Sequence, residues 1–224
     1  MKKSKRIVKF AQTLLLLMLM VGVVCGNSLT VSATELSETA VPEYTEVEVS
    51  EENVEEVIVS TDAKAGSEYG YEWSFANGIL TIIPTKSGTI GQNGNGPWDD
   101  FKSSVTRIVI EDNDNKMSIG NSAFDNMYNL TSIKMGKAIT YIGDSAFQGC
   151  SALTNVILPD SVMSIGSYAF SGCKSIEEIE IPDSVSYIGS YAFYKCSSLH
   201  TVVLGDSIKS IEKYAFWMCN INKI

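Results

Sequence analysis

The chain has 224 residues, 17 of them basic, 26 acidic and one histidine, for a formal charge of −9. This acidic balance makes nucleic acid and anionic membrane poor partners by bulk electrostatics. The sequence has no glycine loop with a following lysine to cradle phosphate and no HExxH signature, so it offers nothing to the common nucleotide-binding and zinc-protease classes.

Lys2, Lys3, Lys5, Arg6 and Lys9 make a basic start, and Phe10 to Val24 is an apolar run interrupted by Gln12 and Thr13. Val31-Ser32-Ala33 then supplies small or tolerated residues for cleavage before Thr34, which predicts a secretory signal peptide over residues 1–33. Two alternatives stand beside it. An uncleaved anchor would need a longer apolar core. A lipid on Cys25 would need small residues where Val23 and Val24 stand. Cleavage removes the five basic residues and no acidic one, leaving 12 and 26, a net of −14. No second apolar span follows, so the expected location is secreted or cell-surface, with no stable membrane insertion after cleavage.

Thr34 to Ala63 contains ten acidic residues and no basic one. Like charges at this density repel, which predicts a disordered acidic spacer over residues 34–65 holding the rest of the chain away from the site of export. The alternation at Val47-Glu48-Val49 also allows an amphipathic strand. Residues 66–104 are expected to form an N-terminal cap of one or two strands, because Tyr71 to Ile83 alternates and turns at Gly78. Trp73 and Trp98 are placed to cover an open end. Gly88 to Gly96, rich in Gly and Asn, is predicted to be a mobile loop.

From Val105 onward the sequence repeats every 23 residues. Ile-Gly stands at Ile119, Ile142, Ile165 and Ile188, with Ile211-Glu212 as a degraded copy. Ala-Phe follows at Phe124, Phe147, Phe170, Phe193 and Phe216, and then Met127, Cys150, Cys173, Cys196 and Cys219. Aliphatic series continue at Leu130, Leu153, Ile176 and Leu199, and at Ile133, Val156, Ile179 and Val202. Such a period marks a solenoid whose units bury their apolar faces only by stacking. Val156-Ile157-Leu158 and Ile179-Glu180-Ile181 alternate as strands. Pro159 and Pro182 end them, Asp160-Ser161 and Asp183-Ser184 turn the chain, and Val162 to Ile165 is a second extended piece. Gly143, Gly166 and Gly189 are expected at corners whose conformation excludes larger residues. Tyr-Ala-Phe-x-x-Cys fits one to two helical turns capped by Asp144, Ser145, Ser167 or Ser190.

Units such as Ile142-Gly143-Asp144-Ser145-Ala146-Phe147-Gln148-Gly149-Cys150 through Leu158-Pro159-Asp160-Ser161-Val162 resemble the BspA-type leucine-rich repeat. The resemblance runs from about Val105 to the end, and Tyr71 to Phe101 is similar to the lead-in that often precedes such repeats. It implies an α/β solenoid over residues 105–224, a leucine-rich repeat with 23-residue units, a parallel strand ladder and short helical turns. It also implies adhesins and ligand-binding surfaces outside the cell.

No residue set points to catalysis or to a cofactor. The Cys row is expected to be buried and free, since Met127 fills the same place in the first copy. A line of thiols also does not converge on one metal. His200 is expected on the surface. Asp112-Asn113-Asp114-Asn115 has calcium-loop oxygen density but lacks the rest of that motif, so a polar turn is expected. What remains is the outward strand face, with Arg107 and Val109, Ser132 and Lys134, Asn155 and Ile157, Glu178 and Glu180, and Thr201 and Val203. The binding surface is expected at Arg107, Lys134, Asn155, Ile157, Glu178, Glu180, Thr201 and Val203, engaging an extracellular protein or glycan. The alternative is a structural, self-associating envelope or matrix component. There a homodimer would form through the C-terminal edge, where either Ile221 and Ile224 take over in a shifted register or the last unit stays open.

Overall fold

The computed structural model describes residues 63–68, 70–91, 94 and 96–223. The signal peptide expected over residues 1–33 and the spacer up to residue 62 lie outside them. Lys64 and Ala65, at the end of the expected spacer, already belong to the first strand. All described residues fall in the second of two units into which the chain divides, residues 55–224.

The strands are β1 (Lys64–Glu68), β2 (Tyr71–Ala76), β3 (Ile79–Pro84), β4 (Gly88–Ile90), β5 (Arg107–Ile110), β6 (Met117–Ile119) and β7 (Ser132–Lys134). They continue as β8 (Ile139–Ile142), β9 (Asn155–Ile157), β10 (Ser164–Ile165), β11 (Glu178–Glu180), β12 (Tyr187–Ile188), β13 (Thr201–Val203) and β14 (Ser210–Ile211). β1, β2 and β3 form an antiparallel meander, after which β3 pairs with β5 in parallel and every later pair is parallel. Two ladders result. One sheet runs β1-β2-β3-β5-β7-β9, followed by a separate pair β11-β13, and the other runs β4-β6-β8-β10-β12-β14. Gly88–Ile90, expected in a mobile loop, is strand β4. Its Ile90 is fully buried beside Ile119, and that burial outweighs the local Gly and Asn content.

The inward residues of successive coils meet in columns. Phe124, Phe147, Phe170 and Phe193 are at most 1% exposed. Their ring centroids are 5.2–5.3 Å apart. Trp98 heads the column, 5.0 Å from Phe124, and its indole N–H donates to the Ala123 carbonyl at 2.7 Å. Tyr71 touches Trp98, while Trp73 and Phe75 close on Phe101 of the 3-10 helix Asp99–Ser104. Each fully buried Phe contributes roughly 2–3 kcal/mol by area.

The helical turns between the ladders are sequences of tight turns. In each coil two residues four apart have positive φ, as at Ser145 and Gly149 or Tyr191 and Lys195. The hydrogen bonding explains the geometry. Ala169, Ser171 and Cys173 donate locally to the carbonyls of Gly166, Tyr168 and Phe170, as in a helix. Between them Tyr168, Phe170 and Gly172 donate to Ser190, Ala192 and Tyr194 of the next coil, at 2.7–3.0 Å. Every second N–H thus stitches coil to coil.

Two expectations about turn residues change in mechanism. Gly143, Gly166 and Gly189 do not have positive φ. A Cβ on Gly166 would lie 2.7 Å from the Gly143 carbonyl carbon, so glycine is needed for close approach between coils, not for conformational freedom. The polar side chains expected to cap or turn their own segment reach neighbouring coils. Asp144 Oδ1 accepts from the Ser167 N–H at 2.7 Å, and the Ser161 and Ser184 hydroxyls donate to Ile139 and Val162 carbonyls at 2.6 Å.

Candidate functional site

The predicted strand-face residues lie on two parallel rows. Arg107 pairs with Ser132 and Ser132 with Asn155, and beside them Val109 pairs with Lys134 and Lys134 with Ile157. In the next pair Glu178 faces Thr201 and Glu180 faces Val203. Alternation along each short strand turns the middle residue into the core, as with Val156, Ile179 and Val202, and leaves its neighbours outside. Ile157 is 70% exposed and Val203 48%. Arg107, Asn155, Glu178 and Glu180 are exposed, and Thr201 is half-buried. Lys134 carries an exposed ion pair with Glu111 at 3.8 Å.

Not all of the predicted set is joined. β9 and β11 share no ladder, so Arg107, Lys134, Asn155 and Ile157 lie on one sheet and Glu178, Glu180, Thr201 and Val203 on another. The face is therefore a basic and apolar part followed by an acidic part, divided between Ile157 and Glu180.

The residues set aside as non-catalytic have structural roles. Cys150, Cys173 and Cys196 are buried, Cys219 is half-buried, and all four are free. Each thiol donates to the carbonyl of the preceding coil's Phe, at 3.0–3.2 Å. Burial pushes Cys150 up to about 12 and Cys173 well above the ordinary thiol value. A hydrogen bond with Cys219, together with burial, raises Cys196, and the same bond lowers Cys219. His200 Nδ1 lies 3.0 Å from its neighbour's Thr201 Oγ1. Asn113 and Asp112 bond the Pro84 carbonyl and the Lys137 N–H, as parts of a polar turn. Among the described residues no group of three or more His, Cys, Asp or Glu is placed to hold a metal. Nor is any helix long and apolar enough to cross a membrane.

A second surface was missed at the sequence level. Tyr168, Tyr191 and Tyr214 stand at one repeat position, on the turn side, and are joined there by Tyr194 and Trp217. The signal in the sequence is a tyrosine immediately before Ala-Phe in three consecutive units, a position outside the apolar series that marks the inward residues.

Coils of two short strands, a tight corner and a turn segment, stacked in parallel around columns of Ile, Phe and Leu, define a leucine-rich repeat solenoid. Residues 117–224 match the BspA type leucine rich repeat region in six copies. A leucine rich cell surface protein of Faecalibacterium prausnitzii is 29% identical, over 72% of this chain and 48% of that one, with a TM-score of 0.53. The T. pallidum leucine rich repeat protein shares the fold at 22% identity, over 71% of this chain and 81% of its own, with a TM-score of 0.56. This chain spans about half the length of the first. No curated protein matches it. A basic and apolar N-terminal segment precedes the repeats of this chain, and the Faecalibacterium prausnitzii relative is a cell surface protein.

Proposed function

We propose that the module engages an extracellular protein or glycan through the strand face, with Ile157 and Val203 as its apolar contacts and Arg107, Lys134, Asn155, Glu178, Glu180 and Thr201 as its polar ones. The observation that carries this reading is Ile157, a large aliphatic side chain 70% exposed on a regular strand whose neighbours are charged. An isolated exposed residue has an ordinary explanation. In register with Lys134, and with Val203 in register with Glu180, it supplies the mixed apolar and charged surface on which interfaces are built. The signal peptide over residues 1–33 and the acidic stretch ahead of β1 would deliver and extend the face, and β1 through the 3-10 helix Asp99–Ser104 would cap the stack.

The test is a binding screen of the full chain against extracellular proteins and glycan arrays, repeated with Ile157→Ser and Glu180→Gln together. Loss of the detected partner supports the strand face; unchanged binding moves the site elsewhere. A second reading, self-association, is favoured by the last coil, where Ile211 and Met218 are 42% and 54% exposed. Light scattering over a concentration series decides it, since a strict monomer removes that version.

A further inference from the structure

The turn side of the last three coils carries a second, independent surface. Tyr168, Tyr191 and Tyr214 form one column with ring centroids 4.9 and 5.1 Å apart. Tyr194 and Trp217 form another, 5.4 Å apart at 18°. The two columns meet edge to face, with Tyr191 and Tyr194 at 77° and 5.5 Å. Carbon atoms in contact lie about 3.5–4.0 Å apart, so rings at this wider centroid spacing are slipped, and each keeps part of its face uncovered. Tyr214 and Trp217 are 53% and 51% exposed.

Coil packing does not require these rings. Earlier coils carry Ser122 and Ser145 at the tyrosine position, with φ of 54° and 56° against 57° to 62° for Tyr168, Tyr191 and Tyr214. Asp125 and Gln148 stand where Tyr194 and Trp217 do. The backbone is the same without aromatics, so the aromatics answer to something outside the stack.

Charge points the same way. The turn segments 167–174, 190–197 and 213–220 contain Lys174, Lys195 and Lys213 and no carboxylate. Lys195 Nζ lies 4.9 Å over the Tyr194 ring. Glu212, just before the last segment, accepts from the Ser210 hydroxyl at 2.8 Å. On a chain of net charge −9 this side is locally basic. At physiological salt, charges beyond about 8 Å are screened, so a ligand here meets chiefly the charges of the turn segments themselves, three lysines with Glu212 at their edge.

A matching ligand needs apolar ring faces for the aromatics, hydroxyl edges for the phenols, negative charge for the lysines and one unit per coil. An extended acidic polysaccharide has all four: pyranose C–H faces, hydroxyl rims, a carboxylate on its sugars, and an advance per sugar close to the coil spacing. We propose that this surface binds a linear polyuronate along the stack axis, with Tyr191, Tyr194, Tyr214 and Trp217 under the sugar rings and Lys195 and Lys213 on the carboxylates. This does not rest on the strand-face reading.

The experiment is calorimetric titration of the full chain with polygalacturonate, with hydroxyethylcellulose as the neutral polymer and polyphosphate as charge without sugar. Binding to polygalacturonate that weakens with salt is expected. Trp217→Ala should weaken it about tenfold, the loss of one aromatic contact. Tyr191→Ser, which copies the earlier coils and so preserves folding, should do the same. Lys195→Gln with Lys213→Gln should weaken it roughly threefold per charge and flatten the salt dependence. The strand-face pair Ile157→Ser and Glu180→Gln should leave it unchanged. The proposal is overturned by no binding at low salt, by equal binding of Trp217→Ala, by polyphosphate binding as tightly, or by hydroxyethylcellulose binding as tightly as polygalacturonate.

Discussion

The middle coils and the last coil carry nearly the same residues at the same repeat positions, yet they are different environments. Phe170 and Ile188 are fully buried, whereas Phe216 is only partly buried and Ile211 is 42% exposed. Cys173 is sealed and Cys219 half open. Where the middle coils have Gly143, Gly166 and Gly189, the last has Glu212. The difference teaches that in a stack a residue's energetic weight comes from having a neighbouring coil on both sides, not from its type or its place in the repeat.

The sharpest way to break that comparison is at the Phe column. Phe170→Ala should cost about 3–5 kcal/mol, the range for emptying a buried aromatic site, and Phe216→Ala roughly 1–2 kcal/mol. Urea unfolding of both variants checks the ratio, and equal losses would show the end coil to be as tightly held as the middle. Gly166→Ala comes next. Its Cβ meets the backbone of the preceding coil, which cannot rotate away, so a loss of about 3 kcal/mol is expected by the same measurement.

The thiols sharpen the comparison chemically. Of the four cysteines among the described residues, a small alkylating reagent under native conditions should modify Cys219, leaving Cys150, Cys173 and Cys196 until the chain unfolds, as peptide mass mapping would report. Their titration adds a pH dependence. Cys150 stays protonated in the folded state up to about 12, while the unfolded thiol ionises near its ordinary value of 9.0. Its contribution is therefore complete below pH 9 and is lost as the pH rises from there toward 12. Melting temperatures should fall more steeply above pH 9 for the natural chain than for Cys150→Ala. The smallest effect belongs to the strand face. Ile157→Ser and Glu180→Gln should each change stability by no more than about 0.5 kcal/mol, because neither side chain is packed into the core.

The 23-residue period contained most of the fold, because it records which side chains are inward, and Phe147, Cys150, Leu153 and Val156 are all buried. It did not record where backbone N–H groups point. The left-handed position four residues on from Ser145 or Tyr191 is occupied in turn by Asn126, Gly149, Gly172, Lys195 and Met218, which share no chemistry. Stitching between coils therefore leaves no trace in residue type. The ladder gap between β9 and β11 was equally invisible, since Asn155-Val156-Ile157 and Glu178-Ile179-Glu180 alternate as well as any paired strands. Of the candidate sites, the strand rows were legible from alternation alone. The tyrosine columns depended on knowing that the turn side faces water. At the other end of the stack, Ile221 packs against the core and Lys223 pairs with Thr201, one residue short of the 23-residue register. That is the shifted alternative for Ile221, while Ile224 lies outside the described residues.

The alternating N–H bonds of the turn segments run from each coil to the next, as do the bonds of the strand ladders except across the gap between β9 and β11. Tension applied along the stack would open these fastenings one layer at a time, like a zip. A sideways pull would load many layers together. A molecule tethered at one end and gripped along its flank would thus resist tearing far better than one stretched from tip to tip.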